Sequence, residues 1–513
     1  MTIIFNSKLV RLKLNVISLS FLYLLISLNI CLPEINAKQI FQEGPDPVRL
    51  SNFNQTSLYP VLTSDANDHL HLFWRECTGF DKYENCQATT IYYRRWDGSR
   101  WQLPIDVFVA PDTDGNVAIL DAEVDNDGLI HLIWVGKEGF SDSLFHSWAS
   151  IQETIDARSF QTELIDVGTN ITYGDLIIDG ENNIHVVFNE SNANIFYINN
   201  SFNDRLSAAW SLPVNLSTSP YVEGPKIIQT EEDWLHATWT ELSEKGFGKS
   251  IFYSRSKDGE SWETPKVIFQ PANETDDGHL AVFPNLGRDG AGRLHMVWSR
   301  GVGKIDGLYH SISGDNGQTW SEPKVLHPGL SGSTGHNSLL LDSQGNLHLL
   351  ISSRLGEVAD FPDEYQGTYI VHSVWDNGEN QWREFEPLTS PAFSSSEHLR
   401  ALITGGNLVH VVWMQWINPA PIMYTNFPVD APKIEAVGYP PKQKSAELDP
   451  LNTLDNYPVE QLNENFQASS NILKISDIDS NTFSEDPIYF PILLGTITAG
   501  LVIALIAFFK QMK

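Results

Sequence analysis

The fold is decided by the stretch Asp125-Asn126-Asp127-Gly128-Leu129-Ile130-His131-Leu132-Ile133-Trp134. A polar turn leads into an apolar strand that ends in His-x-x-Trp, and the pattern recurs along the chain. Its seven copies contain His71, His131, His185, His236, His295, His348 and His410, each followed three residues later by a large apolar side chain. Successive histidines are 60, 54, 51, 59, 53 and 62 residues apart. A repeat of about 50 residues is typical of radial or linear arrays, so the seven copies predict one repeat domain.

Each repeat contains four short strands. In the fifth copy these are residues 282–287, 293–298, 308–312 and a strand that begins at Lys324, separated by polar turns. Four antiparallel strands per repeat are the content of a propeller blade. The sequence therefore predicts an all-β fold, a seven-bladed β-propeller of four-stranded antiparallel blades, over residues 38–428.

A hairpin motif joins the third and fourth strands of a repeat. In the fifth copy it reads Ser313-Gly314-Asp315-Asn316-Gly317-Gln318-Thr319-Trp320. Aspartate accepts hydrogen bonds from turn amides, and glycine adopts positive φ. The structural residues expected from this copy and its looser versions are Asp97, Asp258, Asp315, Gly317, Trp320 and Asp376. On these residues the chain resembles the sialidase-like superfamily of Asp-box, or bacterial neuraminidase repeat, β-propellers, from about residue 41 to 427. Known sialidases of this group have six blades, which leaves a six-bladed ring as the alternative.

The last repeat lacks its fourth strand. Near the N-terminus, Pro47-Val48-Arg49-Leu50-Ser51 repeats the pattern of Pro213-Val214-Asn215-Leu216-Ser217, which begins a fourth strand. We therefore predict that the N-terminal strand completes the seventh blade. The alternative is closure by residues 431–434.

The two ends of the chain predict export and anchoring. Residues 1–37 show the charged, apolar and small-residue order of a signal peptide, with an uncleaved anchor as the alternative. Residues 488–509 carry no charge and span about 33 Å as a helix, enough to cross a bilayer. Residues 429–487 are predicted to be a disordered stalk, and the lysines within residues 510–513 a short cytoplasmic tail. This predicts a single-pass type I protein of the cell membrane with an extracellular propeller.

Composition restricts the partners. The net charge of -31 disfavours nucleic acid, because phosphate binding relies on clustered Lys and Arg. We expect no metal or cofactor: the histidines occupy separate blades and are structural. Asp125 and Asp127 offer oxygens to Ca²⁺, but a full calcium loop needs more oxygen ligands, so a plain turn is favoured.

Export would permit two covalent modifications. Cys77 and Cys86 lie within one loop and predict a disulfide. Six sequons predict glycans in a eukaryotic host, at Asn54, Asn170, Asn189, Asn199, Asn215 and Asn273.

The candidate site lies at one end of the propeller channel. Because the strands alternate in direction, the loops after His-x-x-Trp and the links between blades share one face, where long loops favour a site. Aligned positions on the inner strands predict two rings around this channel mouth. The first ring is Tyr59, Ile119, Tyr173, Glu223, Phe283, His336 and His398. The second is Val61, Asp121, Asp175, Pro225, Asn285, Ser338 and Arg400. Their polar members either bind a ligand or line a water-filled channel.

A sialidase-type site is implied only by the resemblance. It would require three arginines around a substrate carboxylate, an Asp acid/base and a Tyr–Glu nucleophile. The candidates are arginines Arg75, Arg300, Arg354 and Arg400, acids Asp121 and Asp175, and nucleophiles Tyr173 and Tyr365. The N-terminal Tyr/Phe-Arg-Ile-Pro signature of that group is represented only by Val48-Arg49-Leu50, so catalytic roles stay unassigned.

The sequence therefore favours a membrane-anchored propeller that recognises a glycan or a surface protein without catalysing a reaction. One alternative is an exo-α-sialidase-type glycoside hydrolase. Another is a structural or adhesive surface protein. In all three hypotheses the protein contacts the bilayer through residues 488–509.

Overall fold

The structure is a computed structural model. It describes residues 46–52, 54–80, 86–108, 117–138, 141–152, 155–156, 158–165, 167–168, 170–190, 193–201, 210–230, 232–271, 280–299, 307–326, 330–331, 336–355, 368–389 and 396–439. The chain divides into two compact units, Met1–Pro441 and Lys442–Lys513, and every described residue belongs to the first. The predicted leader, most of the stalk and residues 488–509 lie outside the described residues. Within the described part, no helix has the length and apolar character needed to span a membrane.

Seven antiparallel sheets form seven blades, each with an inner, a second, a third and an outer strand. The inner strands are β2 (Ser57–Ser64), β6 (Ala118–Val124), β10 (Ile171–Ile178), β14 (Val222–Gln229), β18 (Val282–Arg288), β23 (Asn337–Leu341) and β28 (Ser396–Thr404). The second strands are β3 (Leu70–Phe80), β7 (Leu129–Glu138), β11 (Asn183–Glu190), β15 (Leu235–Leu242), β19 (Leu294–Ser299), β24 (Leu347–Leu355) and β29 (Leu408–Gln415).

The outer strand of each blade is the shortest of its four main strands. The third strands are β4 (Cys86–Trp96), β8 (Ser141–Ser150), β12 (Asn194–Ser201), β16 (Gly248–Ser256), β20 (Leu308–Ser313), β25 (Tyr369–Asp376) and β30 (Ile422–Pro428). The outer strands are β5 (Ile105–Phe108), β9 (Gln161–Ile165), β13 (Val214–Asn215), β17 (Lys266–Phe269), β21 (Lys324–Val325), β27 (Glu386–Pro387) and β1 (Val48–Arg49). Blade 6 carries two further short strands, β22 (Leu330–Ser331) and β26 (Gln381–Trp382).

The blades close into a ring. Each inner strand contacts the inner strands of both neighbouring blades, including β2 against β28. The seven-bladed prediction is therefore confirmed, and the six-bladed alternative is wrong. The buried apolar side chains form clusters between successive blades, which is where a propeller places its core.

The N-terminal strand completes blade 7, as predicted. β1 pairs with β30, with Val48 opposite Tyr424. Ser51 Oγ accepts a hydrogen bond from the Ile422 amide at 2.9 Å. Closure by residues 431–434 is wrong, because that segment forms no strand. Instead, the Ile434 amide donates to the Gly405 carbonyl at 2.8 Å. This bond holds the segment against the inner turn of blade 7, that is, the turn between its inner and second strands.

The repeated histidines have a structural role in each blade. In blade 5, His295 Nδ1 lies 2.9 Å from His310 Nε2 on the third strand, and His295 Nε2 lies 3.3 Å from Asp289 Oδ2 in the inner turn. Blade 4 has the same arrangement with tyrosine and threonine as partners. The third-strand partners along the chain are Tyr93, His146, Tyr197, Tyr253, His310, His372 and Tyr424. Each histidine therefore ties the inner turn to the third strand of its own blade.

The hairpins between third and outer strands fasten neighbouring blades. In blade 5, Asp315 Oδ1 accepts the Thr319 amide at 2.8 Å, and Ser313 Oγ accepts the Gly317 amide at 2.9 Å. The Trp320 ring packs on Tyr253 of the preceding blade, with centroids 5.1 Å apart. The same contact recurs in pairs Trp101–Tyr424, Trp210–His146, Trp262–Tyr197 and Trp382–His310. In three further hairpins, Asp97, Asp258 and Asp376 also accept turn amides.

Candidate functional site

One face of the propeller carries the channel mouth. The antiparallel order places the inner turns and the hairpins on the opposite face. The mouth face therefore contains the loops after the second strands and the links between blades. Many of these loop residues lie outside the described residues, including Arg300, Tyr365 and the side chain of Arg354. The described part of the mouth consists of the inner strands and the residues beside them.

Four inner strands enter the mouth through the same β-bulge. In blade 1 the register passes from Leu58 opposite Arg75 to Val61 opposite Phe73, and blades 4, 5 and 7 show the equivalent two-residue bulge. The first bulged residue has positive φ in every case: Tyr59 at 54°, Gly224 at 59°, Phe283 at 53° and His398 at 52°. Such a conformation is costly for bulky residues and is concentrated at functional sites.

The bulges bring aromatic side chains together. The Tyr59 and His398 rings lie edge to face with centroids 4.3 Å apart. His398 and His336 are also 4.3 Å apart, and His336 stacks on Phe283 at 4.5 Å. These four residues, here called the collar, form a continuous aromatic arc over blades 1, 7, 6 and 5. Three of them were predicted as ligand-binding residues, and the structure brings them together.

Charged groups flank the collar. The Arg75 guanidinium carbon lies 4.9 Å from the centre of the Tyr59 ring, an arrangement that favours a cation–π interaction. Among the described residues, Arg75 Nε has no hydrogen-bond partner although it is buried. Burial, together with His336, Arg400 and Arg75, holds the pKa of His398 well below its ordinary value, so this histidine is neutral at pH 7.

Buried carboxyl groups lie beside the collar. Glu223 is 7% exposed, and burial raises the pKa of its carboxyl to about 7. Burial also raises the pKa of the Tyr173 hydroxyl, and the negative charge of Glu223 adds to the effect. The two side chains are therefore neighbours from blades 3 and 4. Burial raises the pKa of Glu397, which lies at the position equivalent to Glu223 in blade 7.

A charged layer lies one step deeper and consists of Asp121, Asp175, Lys226 and Arg400. Asp175 forms an ion pair with Lys226, and its Oδ2 accepts the Ile227 amide at 2.9 Å. Asp121 Oδ2 accepts the Leu176 amide at 3.0 Å. Each of these carboxylates binds the backbone of the next blade. The layer therefore faces the channel and also links the inner strands of neighbouring blades through these side-chain-to-backbone hydrogen bonds.

Two carboxyl groups, Asp121 of this layer and Glu123 two residues further along β6, have pKa values raised to about 7 and about 8. Burial and then the negative charge of Asp175 raise the pKa of Asp121 to about 7, while Lys226 and Arg400 oppose that shift. Burial and then Asp121 raise the pKa of Glu123 to about 8. A carboxyl that is partly protonated at pH 7 can donate as well as accept hydrogen bonds.

The predicted rings are wrong in two blades. In blade 4 the ring residues are Gly224 and Lys226 rather than Glu223 and Pro225, because the bulge shifts the strand by one residue. Lys226 was therefore missed. The tripeptide pattern x-Pro-x offered a signal, since Pro225 aligns with Pro60 of Tyr59-Pro60-Val61.

In blade 2 the prediction that Ile119 belongs to the first ring is wrong, because its side chain is buried. Ile119 packs in the core between blades 1 and 2 and is only 4% exposed. It therefore does not contribute to the mouth.

Several other candidates can now be placed. Cys77 is buried and disulfide-bonded, whereas the side chain of Cys86 lies outside the described residues. The predicted turn at residues 125–128 is confirmed: Asp125 Oδ1 accepts two backbone amides, and its Oδ2 lies 3.3 Å from His131 Nε2. Among the described residues, no group of three potential metal ligands clusters.

The sequons differ in accessibility. Asn189 is fully buried and its side-chain oxygen accepts the Tyr173 amide at 2.7 Å, so the prediction of a glycan there is wrong. Three asparagines are exposed: Asn54, Asn170 and Asn215. Asn199 is half-buried, and Asn273 lies outside the described residues.

Comparison with known proteins finds likeness in fold. Neither a protein-family model nor a curated protein matches the sequence. A protein of unknown function from Dyadobacter fermentans is similar over 75% of this chain and 98% of its own, with 13% identity and a TM-score of 0.45. An ulvan lyase of polysaccharide lyase family PL25 is similar over 75% of this chain and 96% of its own, with 11% identity and a TM-score of 0.48. The NanB sialidase of Streptococcus pneumoniae is similar over 78% and 73%, with 12% identity and a TM-score of 0.41.

Proposed function

We propose that this protein recognises carbohydrate at the channel mouth. The collar carries the proposal: four contiguous aromatic rings stand at one end of the channel, and Tyr59 is 40% exposed. Flat apolar rings match the C–H faces of sugars, while a few polar groups fix orientation, as in most small-molecule sites. Glu223 and Arg75 supply such groups beside the collar.

The proton affinities support the same ligand class. Sugar hydroxyls both donate and accept hydrogen bonds, so a site that recognises them benefits from groups that do the same. The carboxyls of Asp121 and Glu223, with pKa values raised to about 7, meet that requirement at neutral pH.

A glycan array probed with the full-length chain tests the proposal. We expect Tyr59→Ala and Phe283→Ala each to lower affinity for the bound glycans about tenfold or more, because each removes a stacking surface. Trp416→Ala is the matched control, since Trp416 is 51% exposed in the β29–β30 loop on the same face but outside the collar. An array without hits, or collar variants that bind as well as the control, would refute carbohydrate recognition and favour a structural or adhesive role.

Hydrolysis of a sialoside is the second candidate. The observation that favours it is the neighbouring Tyr173 and Glu223, with Asp121 poised as an acid and Arg75 and Arg400 close to His398. Such a set offers a tyrosine nucleophile, an acid and two of three required arginines. Turnover of a fluorogenic sialoside that is abolished in Tyr173→Phe and in Arg400→Ala would establish this activity. Absence of turnover in a chain that binds glycans would leave recognition alone.

We further propose, from the sequence, that the propeller is displayed outside a cell. The supporting features are the predicted leader at residues 1–37, the apolar run at residues 488–509, and the predicted pairing of Cys77 with Cys86, which would suit an oxidising compartment. Protease treatment of intact cells should remove the propeller and leave a membrane fragment that contains residues 488–513. Protection of the propeller from protease would contradict this topology.

A further inference from the structure

The collar is incomplete in blade 4. Blades 1, 5 and 7 each place a bulky residue at the positive-φ position of the bulge, namely Tyr59, Phe283 and His398. Blade 4 has the same bulge and the same backbone angle but carries Gly224 there. The aromatic arc therefore ends at Phe283, and the next position around the mouth has no side chain.

Among the residues that the structure describes, the space at this position is open. A Cβ built on Gly224 would meet only one atom within 4 Å among the described residues, Phe283 Cδ1 at 3.9 Å. That distance is ordinary van der Waals contact. Backbone geometry alone does not explain the glycine, because blades 1, 5 and 7 carry larger residues at nearly the same φ. The glycine thus leaves a gap in the wall of the mouth.

The gap leads to polar groups. Glu223 precedes Gly224 in the chain, and Lys226 follows two residues later in an ion pair with Asp175. The Lys226 side chain is 24% exposed, so solvent reaches the pair. Because the two charges offset each other, the pair suits a neutral ligand group that both donates and accepts hydrogen bonds. A hydroxyl meets that description, and an aliphatic group does not.

We propose that Gly224 determines ligand specificity: its gap admits the exocyclic hydroxymethyl arm of a hexose, which then bonds with Glu223 and the Asp175–Lys226 pair. This inference rests on the proposed carbohydrate recognition and specifies its sugar class. Hexopyranosides are bound in preference to pentopyranosides of the same ring configuration, because the hydroxymethyl arm adds hydrogen bonds to Glu223 and the Asp175–Lys226 pair that a pentose cannot form.

Matched sugar pairs test the inference on the full-length chain. The probes are methyl β-D-glucopyranoside against methyl β-D-xylopyranoside, and methyl β-D-galactopyranoside against methyl α-L-arabinopyranoside, which differ by the hydroxymethyl arm. We expect the wild-type protein to bind the hexose of at least one pair about tenfold more tightly, measured by saturation-transfer NMR titration. Gly224→Phe should abolish the preference by lowering hexose affinity to the pentose level. Gly224→Ala, which adds a small group in ordinary contact, should retain it.

The outcomes distinguish failure of the Gly224 inference from failure of the proposed carbohydrate recognition. If the wild-type protein binds glycans on the array but shows no preference within either pair, the gap inference is wrong while carbohydrate recognition stands. A preference that persists in folded Gly224→Phe also overturns it. Gly224→Leu serves the same purpose if the phenylalanine variant does not fold, as judged by its thermal unfolding. If the wild-type protein binds no glycan at all, the proposed function fails first.

Discussion

Replacement of Gly317 by alanine should destabilise the propeller far more than the same change in a comparable hairpin. Gly317 has φ +80° and lies directly against Tyr253 of the preceding blade. An alanine Cβ would be 1.7 Å from the Tyr253 hydroxyl oxygen and 2.6 Å from its Cζ. Neither distance is tolerable, so the tyrosine ring must move.

The expected loss of unfolding free energy follows from the interactions that Tyr253 loses when its ring moves. Its hydroxyl lies 2.6 Å from His236 Nδ1, and disruption of such a buried hydrogen bond costs about 1–3 kcal/mol. Overpacking of the seam adds about 1–3 kcal/mol. An alanine in the left-handed region adds about 1–2 kcal/mol. Gly317→Ala should therefore lower the free energy of unfolding by about 5.5 kcal/mol, taking the middle of these ranges.

Gly98 provides the matched control. It occupies the equivalent hairpin of blade 1 with φ +87°, and an added Cβ meets nothing within 4 Å among the described residues. Gly98→Ala should cost only the backbone term of about 1–2 kcal/mol. Guanidinium unfolding followed by tryptophan fluorescence measures both variants. A difference between them below about 1 kcal/mol would refute the claim that the hairpin glycine is required by the tyrosine of the neighbouring blade.

Three further predictions concern stability. Burial lowers the pKa of His410 from 6.5 to about 4, so the unfolded chain binds a proton that the folded chain excludes, and stability is lost as pH falls from about 6.5 towards 4. His410→Gln should therefore cost most at pH 7, with about 3 kcal/mol of that cost gone by pH 4; a pH-independent cost in denaturant titrations would contradict this. Deletion of residues 40–52 removes buried Leu50 and the closing strand β1, and should lower the melting temperature by many degrees; an unchanged transition would show that closure does not depend on it. Tyr439→Phe removes the side-chain oxygen that accepts a backbone amide of blade 1 at 3.0 Å, and should cost about 1 kcal/mol; a neutral effect would argue against a fastening role for residues 429–439.

The closure of the ring was predictable because it repeats a local interaction. Ser217 Oγ accepts the Ile195 amide at 3.0 Å in blade 3, and Ser51 Oγ accepts the Ile422 amide at 2.9 Å in blade 7. The preceding leucine amides donate to the same two isoleucine carbonyls. A short pattern that makes the same bonds wherever it occurs can be recognised anywhere in the chain, even when its partner is hundreds of residues away.

The mouth was harder to predict because its geometry depends on bulges. If the bulge of blade 4 is not recognised, each ring position is assigned one residue too early, Glu223 for Gly224 and Pro225 for Lys226. Aligning Gly224-Pro225 with Tyr59-Pro60 and Phe283-Pro284 would have corrected this assignment, since proline lacks the amide that the ladder would otherwise need. The stacking of His336 between Phe283 and His398 has no comparable signal, because it joins three blades in space.

The division between repeated and varied positions locates function in this fold. Residues that bond within a blade keep one chemistry: the second-strand histidine faces a tyrosine or histidine seven times over. The first bulged positions at the mouth instead differ in chemistry although their φ angles are nearly the same. They are occupied by Tyr59, Gly224, Phe283 and His398. A φ near +53° is unfavourable for bulky residues such as Phe283 and His398, whereas glycine adopts it without strain. The side chains retained there are accordingly best explained by what they contact in the channel, and a chain with glycine at all four bulges should lose its ligand.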